Sequence, residues 1–596
     1  MSLAPVATAS MPLPWRRLAV AWAVLAAVLL AINITNILLR RFPDPDDMLR
    51  LAQVRDLIAG QGWFDLHQYR ITPPEGTLMH WSRIVDLPIA LVIALLTPLV
   101  GSAAAENAAL VIVPLLTMGA ILLVVARIAA QCFDKEVVTL SCLAIGLSPL
   151  LVAQLQPLRV DHHGWQIFSV GVAMLGLLPG NRARGPLVSG LALAAGLLIS
   201  LELLPIAAAF GMVFAFRWLA DPQARWDFVR FMLALAGGLG ALFLATRGLA
   251  DLAFHCDAIS PIHMGTFAIF ALGALGVALV GALPRLATIA LLGLVAVAGA
   301  ALYVLAAPQC LAGPFGNLDP LVRQFWYMNV LEGLPVWELP IRLGVPVVLQ
   351  GLVALGVLAW LVRHSEGASR IWWLEYAAIT LAAFLTGLMV WRSLAFAGLL
   401  ATVPVGWLAA RMLARMRSAS GPGPRLLAAG GVILALFPGL PVILLAAIVP
   451  GNTAQPDAQG NAIADGVSES TCRVADHRAE LDRLPPATVF APLDIGPSIV
   501  EATHHGVVAT GHHRGERAMH DVIFAFTSPE AQARQVVAAR HARYVLVCTD
   551  LSEPRLFVHE APRGLAAQLI AGDAPAWLRP VELDVPDTLR VWEVVE

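Results

Sequence analysis

Lysine is almost absent: Lys135 is the only one among 596 residues, and Asp, Glu, Lys and Arg together supply just 13% of the chain. The formal net charge of -2 provides no basic surface for nucleic acid. No internal repeat and no long low-complexity tract is visible, which removes solenoids and repeat arrays. What fills the chain is apolar: 58% of residues are hydrophobic and the mean hydropathy is +0.74, a composition that excludes a soluble domain of this size. Trp15-Arg16-Arg17 precedes an apolar run to Leu39. That run is too long for a signal-peptide core and lacks a small-residue cleavage site, so it is expected to remain as a first transmembrane helix.

The apolar stretch at 87–100 is shorter than the roughly 20 residues a helix needs to cross the hydrocarbon core. It reads as a helix lying in or dipping into the interface. Further spans are expected at about 104–129, 136–156, 163–179, 185–200, 202–217, 229–249, 262–283, 286–306, 341–362, 372–391, 393–411 and 426–449, thirteen with the first. Cytoplasmic loops collect arginine and lysine. On this count Arg16/Arg17, Arg127/Lys135, Arg182/Arg184, Arg217/Arg225/Arg230, Arg285, Arg363/Arg370 and Arg411/Arg415/Arg417 all fall on one side. The expected fold class is therefore mainly α: a polytopic transmembrane domain over 1–450 with a first external loop at 40–103, then an external α/β domain over 451–596. Its place would be a bacterial-type inner or plasma membrane, with the N-terminus cytoplasmic.

Asn452, Gln455, Pro456, Asp457, Gln459 and Gly460 make a polar linker into that second domain. Residues 487–490, 506–510, 544–548 and 589–595 read as short strands, and 528–540 as an amphipathic helix capped by Ser528-Pro-Glu. Cys256 and Cys310 lie in loops expected outside and Cys472 and Cys548 in the external domain, which allows two disulfides in an oxidising compartment. Six unpaired cysteines are the alternative. Cys132 and Cys142 fall inside or within a helix.

Four polar features would share the external face. The first is Asp44, Asp46 and Asp47, followed by Arg50 and Arg55; the second is Arg159-Val-Asp161-His162-His163; the third runs from Asp319 and Arg323 to Glu332; the fourth is Arg392, at the start of an apolar helix. Carboxylates packed beside a bilayer need a positive partner, whether a divalent metal, a mobile proton or the following arginines. Oxygen ligands from separate loops suit Mg2+ or Mn2+, and arginine grips phosphate in bidentate fashion. Each feature also has a plain reading. The aspartates suit the cap of a helix beginning near Met48, the histidines and Glu332 suit an interfacial loop, and Arg392 suits a snorkelling arginine.

The run from Asp46-Asp-Met-Leu-Arg50 through Arg55-Asp56 to Gly60, followed by Pro73-Pro-Glu-Gly76 and His80-Trp81, resembles the first external loop of the C-type glycosyltransferase (GT-C) superfamily, and within it the catalytic subunit of oligosaccharyltransferase. Asp161-His-His163 stands where that family carries its second acidic motif, Glu332-Gly-Leu-Pro335 is similar to its Glu-x-x-Pro motif, and Arg392 is similar to its phosphate-contacting arginine. Asp494-Ile-Gly496, His512-His-Arg514, Phe526-Thr-Ser-Pro-Glu530 and 542–547 follow the family's order. Two positions depart from the pattern. Ala491-Pro-Leu-Asp494-Ile-Gly496 lacks the paired tryptophans that read a glycosylation sequon, and the second acidic motif carries histidines where relatives often have a second acid.

The resemblance implies a GT-C fold and a glycosyltransferase that moves sugar from a polyprenyl phosphate or pyrophosphate to a protein, lipid or polysaccharide acceptor. It implies catalysis by Asp46, with Asp44 and Asp47 beside it. Mg2+ or Mn2+ would sit on Asp46, Asp161, His162, His163 and Glu332. Donor phosphate contacts would come from Arg392, Arg55, Arg50, His80 and Trp81, and acceptor contacts from Asp494 and Arg514. A metal-independent GT-C enzyme acting on lipid A or polysaccharide is the alternative. A secondary transporter fits less well, because transporters place coupling acids at midplane on broken helices.

Overall fold

The computed structural model describes residues 11–448 and 470–595 apart from Arg182 and Ala250. The linker at 452–460 and Arg182 of the expected cytoplasmic cluster lie outside the described residues. Among those described, ten helices are long and apolar enough to cross a bilayer, or eleven if Lys135–Leu147 and Pro149–Leu155, bent by 74° at their break, form one span. Every stretch expected to cross is helical, but three give short helices: His163–Gly176, Gly185–Ile199, and the pair Pro422–Leu436 and Leu440–Ile448. Among the described residues, therefore, ten or eleven helices meet the length and hydropathy of a span where the sequence suggests thirteen. The molecule is a multi-pass membrane protein by its helices.

The first elements are α1 (Trp15–Leu38), α2 (Pro45–Ile58), α3 (Arg83–Val100) and α4 (Ser102–Cys132). α3 begins four residues before the apolar stretch at 87–100 and is longer than that stretch. Ser82 caps it by accepting the N–H of Ile84 at 3.3 Å, and the polar first turn with Arg83 and Asp86 is folded into protein, so the helix reaches 18 residues. The apolar helices share one core extending from Leu18 to Trp407. At its centre is the helix following Trp391, with 89% of its apolar window buried, whereas Arg285–Ala306 buries only 6% and turns its leucines and valines outward. With lipid tails as apolar as leucine, such a face costs nothing in a bilayer.

The C-terminal part contains β3 (Thr488–Phe490), β4 (Gly506–Val507), β5 (Tyr544–Cys548), β6 (Leu578–Pro580) and β7 (Leu589–Val594), after the small hairpin of β1 (His67–Gln68) and β2 (Thr77–Leu78) in the first external segment. The five strands pair in the order β4-β3-β5-β7-β6, parallel for the first three and antiparallel thereafter. The expected helix at 528–540 runs from Glu530 to Ala539, with Pro529 rather than Ser528 at its cap. Successive side chains of a strand face opposite ways, and β5 uses both faces. Tyr544, Leu546 and Cys548 join a core with Leu49, Ile71, Met79 and Trp81 of the first external segment, whereas Val545 and Val547 join one with Val322 and Phe325 of a later loop. Loops of the membrane body thus complete both faces of the sheet. Disulfides join Cys256 to Cys310 and Cys472 to Cys548, and Cys132 and Cys142 are free.

Candidate active site

The N-terminus of α2 sets the site. Pro45 is fixed for a first helical turn, and Asp44 caps it, its Oδ1 accepting the N–H of Asp46 at 2.9 Å. The plain capping reading therefore holds for Asp44, with the helix beginning at Pro45. Asp47 turns inward, and its Oδ1 accepts the backbone N–H groups of Val160 (2.7 Å) and Asp161 (2.9 Å), which fastens the second acidic stretch to the first.

Arg159 lies among the acids. Its Nη1 is 2.8 Å from Asp44 Oδ2 and 3.4 Å from Asp47 Oδ2, while Nη2 is 3.0 Å from Asp161 Oδ2 and 3.7 Å from Glu332 Oε2. Glu332, in a short turn over Leu331–Gly333, also accepts from Arg392 Nη1 at 2.6 Å, and Arg392 pairs in addition with Glu202. His163 donates from Nδ1 to Asp161 Oδ2 at 2.5 Å, and the rings of His162 and His163 stack 4.2 Å apart. Asp46, Asp161, His162, His163, Glu332 and Arg392 thus converge from four distant stretches. Arg159 and Glu202 had no assigned role in the sequence reading. Glu202 carried a signal all the same, an acid at the mouth of an apolar run.

The arginines Arg159 and Arg392 are outnumbered by Asp44, Asp46, Asp47, Asp161, Glu332 and Glu202. The surplus falls on Asp46, whose carboxyl pairs with no cation among the described residues. Burial, then the charges of Asp44, Glu332 and Asp161, push it up to about 8 against the pull of Arg159. For Asp161, the Arg159 guanidinium and His163 overcome burial and hold the carboxyl well below the usual range. Burial and His163 lower His162, leaving its imidazole neutral.

A divalent cation fits this set. His162 Nδ1 and His163 Nε2 are buried without partners among the described residues, Asp161, His162 and His163 each offer a ligand atom within 4.8 Å of the others, and Asp46 supplies the uncompensated charge. His163 already holds Asp161 through its other nitrogen, the arrangement that orients a metal-bound imidazole. Glu332 differs from expectation, because both of its oxygens face arginines.

Several expected contacts are committed elsewhere. Arg50 pairs with Asp86 at 2.8 Å and lies 4.6 Å over the Trp81 ring, itself only 1% exposed, so neither is free for a donor phosphate. Arg55 binds Glu106 (2.8 Å) and Glu501 (3.0 Å), tying α2 to the C-terminal part. Arg514 forks onto Asp257 at 2.8 and 3.1 Å, which engages the guanidinium expected for the acceptor. Asp494 faces Glu553, which accepts its backbone N–H at 2.8 Å; burial pushes the Asp494 carboxyl up to about 6. His80 stays beside the site, its ring 6.4 Å from that of His162.

No protein-family model matches the sequence, and no curated protein matches it. Solved structures do. The archaeal oligosaccharyltransferase AglB from Archaeoglobus fulgidus, in complex with an inhibitory peptide and a dolichol-phosphate, is similar with a TM-score of 0.67 at 12% identity, over 96% of this chain and 75% of that one. An Archaeoglobus fulgidus oligosaccharyltransferase tethered to an acceptor peptide containing the NVT sequon gives a TM-score of 0.65 at 13% identity, over 98% of this chain and 74% of that one. Its complex with Zn and sulfate gives 0.58 at 13% identity, over 96% and 74%. The chain has the fold of that oligosaccharyltransferase.

Proposed function

We propose that this protein is an integral-membrane glycosyltransferase that transfers a sugar from a polyprenyl phosphate or pyrophosphate to an acceptor at the external membrane face. The observation that carries the reading is Asp46: one carboxyl without a cationic partner, at the meeting point of four polar stretches, on a fold shared with an enzyme solved in complex with dolichol-phosphate.

Asp46 orients the acceptor and takes its proton as the new glycosidic bond forms. Arg159 holds Asp44, Asp47 and Asp161 in place, so that the loop bearing His162 and His163 cannot drift from α2. Arg392, with His80 and His162 nearby, faces the departing phosphate and balances its charge. A divalent cation on Asp46, Asp161, His162 and His163 would neutralise the phosphate leaving group as a Lewis acid. The site and the C-terminal part lie outside the cell membrane, and the N-terminus inside. The acceptor differs from an asparagine sequon, because Pro492 and Leu493 stand where sequon readers carry paired indoles; a lipid or polysaccharide hydroxyl fits that change.

Asp46→Asn should lower transfer at least about 1,000-fold in membranes supplied with labelled lipid-linked sugar, as expected when a group acting in the transition state is removed. Undiminished turnover in that variant removes the assignment. EDTA treatment separates the two forms of the reaction: loss of transfer that Mn2+ or Mg2+ restores supports the cation, and unchanged transfer supports the metal-independent alternative.

A further inference from the structure

Beside the acid-rich site lies a second cluster with a different composition. His80 follows β2 in the first external segment, His512 and His513 enter a short turn of the C-terminal part, and Asp257 stands in the loop locked by the Cys256–Cys310 disulfide. His80 and His512 are 432 residues apart in sequence, yet His80 Nδ1 lies 2.9 Å from His512 Nε2. The three rings form a nearly equilateral triangle, with centroids 5.0 Å (His80–His512), 4.9 Å (His80–His513) and 5.0 Å (His512–His513) apart.

We propose that His80, His512 and His513 bind a divalent transition metal, Zn2+ above all, which fastens the C-terminal part to the first external loop. One ring nitrogen from each lies within 4.8 Å of the others. Tetrahedral Zn2+ with bonds of about 2.0–2.1 Å sets its ligand nitrogens roughly 3.3 Å apart, so only a small adjustment of three side chains is needed. His513 donates from Nε2 to Asp257 at 2.7 Å, leaving Nδ1 for the metal. A carboxylate behind a ligating imidazole is the usual support of such a site. Arg514 in turn fixes Asp257 through both of its oxygens.

His512 gives the second, independent indication. It is 3% exposed, and its Nδ1 has no partner among the described residues. Two neutral imidazoles in contact hold a single proton between two facing nitrogens, and a metal ion takes the place of that proton and uses both lone pairs. Three imidazoles and no carboxylate in the first coordination sphere select Zn2+, Ni2+ or Cu2+ over Mg2+. This cluster and the acid-rich site thus differ in the ions they suit, and the proposal stands whether or not the transfer reading holds.

Full-length protein and the H512Q and H513Q variants, purified in detergent, stripped with chelator and re-equilibrated with Zn2+, would be compared by elemental mass spectrometry. The wild type should retain one equivalent of Zn2+ more than either variant. Co2+-loaded wild type should show the visible absorption of a tetrahedral ion, and the variants should lose it. Equal Zn2+ content and identical Co2+ spectra in variants eluting as the wild type does overturn the proposal. If either variant elutes differently, D257N decides, because it leaves all three imidazoles in place. Its Zn2+ dissociation constant should rise about 10–100-fold, and an unchanged constant means a hydrogen-bonded histidine cluster only.

Discussion

Helix α2 contributes to two arginine–carboxylate clusters, and they are built on opposite principles. In the first, Arg50 meets Oδ1 of Asp86 at 2.8 Å, Arg83 and Gln53 meet its Oδ2 at 3.2 and 2.7 Å, and Trp81 covers Arg50; the side chains of Arg50, Arg83 and Asp86 are all 0% exposed. In the second, Arg159 lies among four carboxylates, Asp44, Asp47, Asp161 and Glu332, with Asp46 left over. A cluster sealed from water with every acid paired serves to hold the first external segment in shape. One with surplus acid and partial exposure is paid for by the rest of the fold, and that surplus is what chemistry can use.

The largest effect on stability should come from breaking the sealed cluster. Asp86→Ala leaves two guanidinium groups buried without a counter-ion and should cost about 3–5 kcal/mol, read as a large drop in thermal unfolding temperature in detergent. Asp46→Asn should not destabilise the protein at all, since it removes a carboxyl that must hold a proton, or repel its neighbours, to stay in that site. Equal losses from the two substitutions would dissolve the distinction between them.

Much of this layout was legible in the sequence. Asp46, Asp161 and Arg392 each stand at the edge of an apolar run, where a charge is costly without a role, Glu332 stands in a long loop, and all of them reach one site. The partners of the arginines were not legible. Arg50 and Arg55 follow Asp47 closely, yet their guanidinium groups end on Asp86 and Glu501, partners that lie far along the chain and that the local spacing does not mark. Arg159 carries no mark that separates it from an interfacial arginine. Glu202 lies in a stretch that reads as membrane-spanning. The triangle of His80, His512 and His513 joins segments whose spacing in sequence says nothing of their contact. In the C-terminal part β5 was visible from five consecutive apolar residues, while β6, three residues ending in Pro580, had no periodicity to show.

An intermediate effect should appear on changing pH. Between the ordinary carboxylate value of 3.8 and about 8, folded Asp46 retains a proton that the unfolded chain has released. Raising pH through that window therefore lowers stability, by at most about 1.4 kcal/mol per pH unit for one such group. Asp161 acts in the opposite sense but elsewhere, because a depressed carboxyl loses its stabilisation only as pH falls below the usual carboxylate range. Chelator-treated wild type should thus melt at lower temperature at pH 8 than at pH 5.5, and Asp46→Asn should flatten the slope. Added Mn2+ should flatten it too, since a bound cation replaces the proton. A slope identical in wild type and variant would place the surplus charge on another group.

The smallest effect tests the joint between the two regions. Arg55 is about one-third exposed, so its bonds to Glu106 and Glu501 are screened, and Arg55→Met should cost only about 1 kcal/mol. Its apolar stem keeps most of its packing in that variant. Arg40 also reaches Glu501, at 2.8 Å, and limits the loss. The readout that matters is protease sensitivity of the C-terminal part: if α2 is held there mainly by the apolar contacts of Leu49 and Ala52 with the sheet, Arg55→Met should resist digestion almost as the wild type does. Substituting Leu49 by Ala opens a cavity at about 2–5 kcal/mol and should expose the joint, so the reverse order would make the ion pairs, rather than the shared core, the bond between membrane body and sheet.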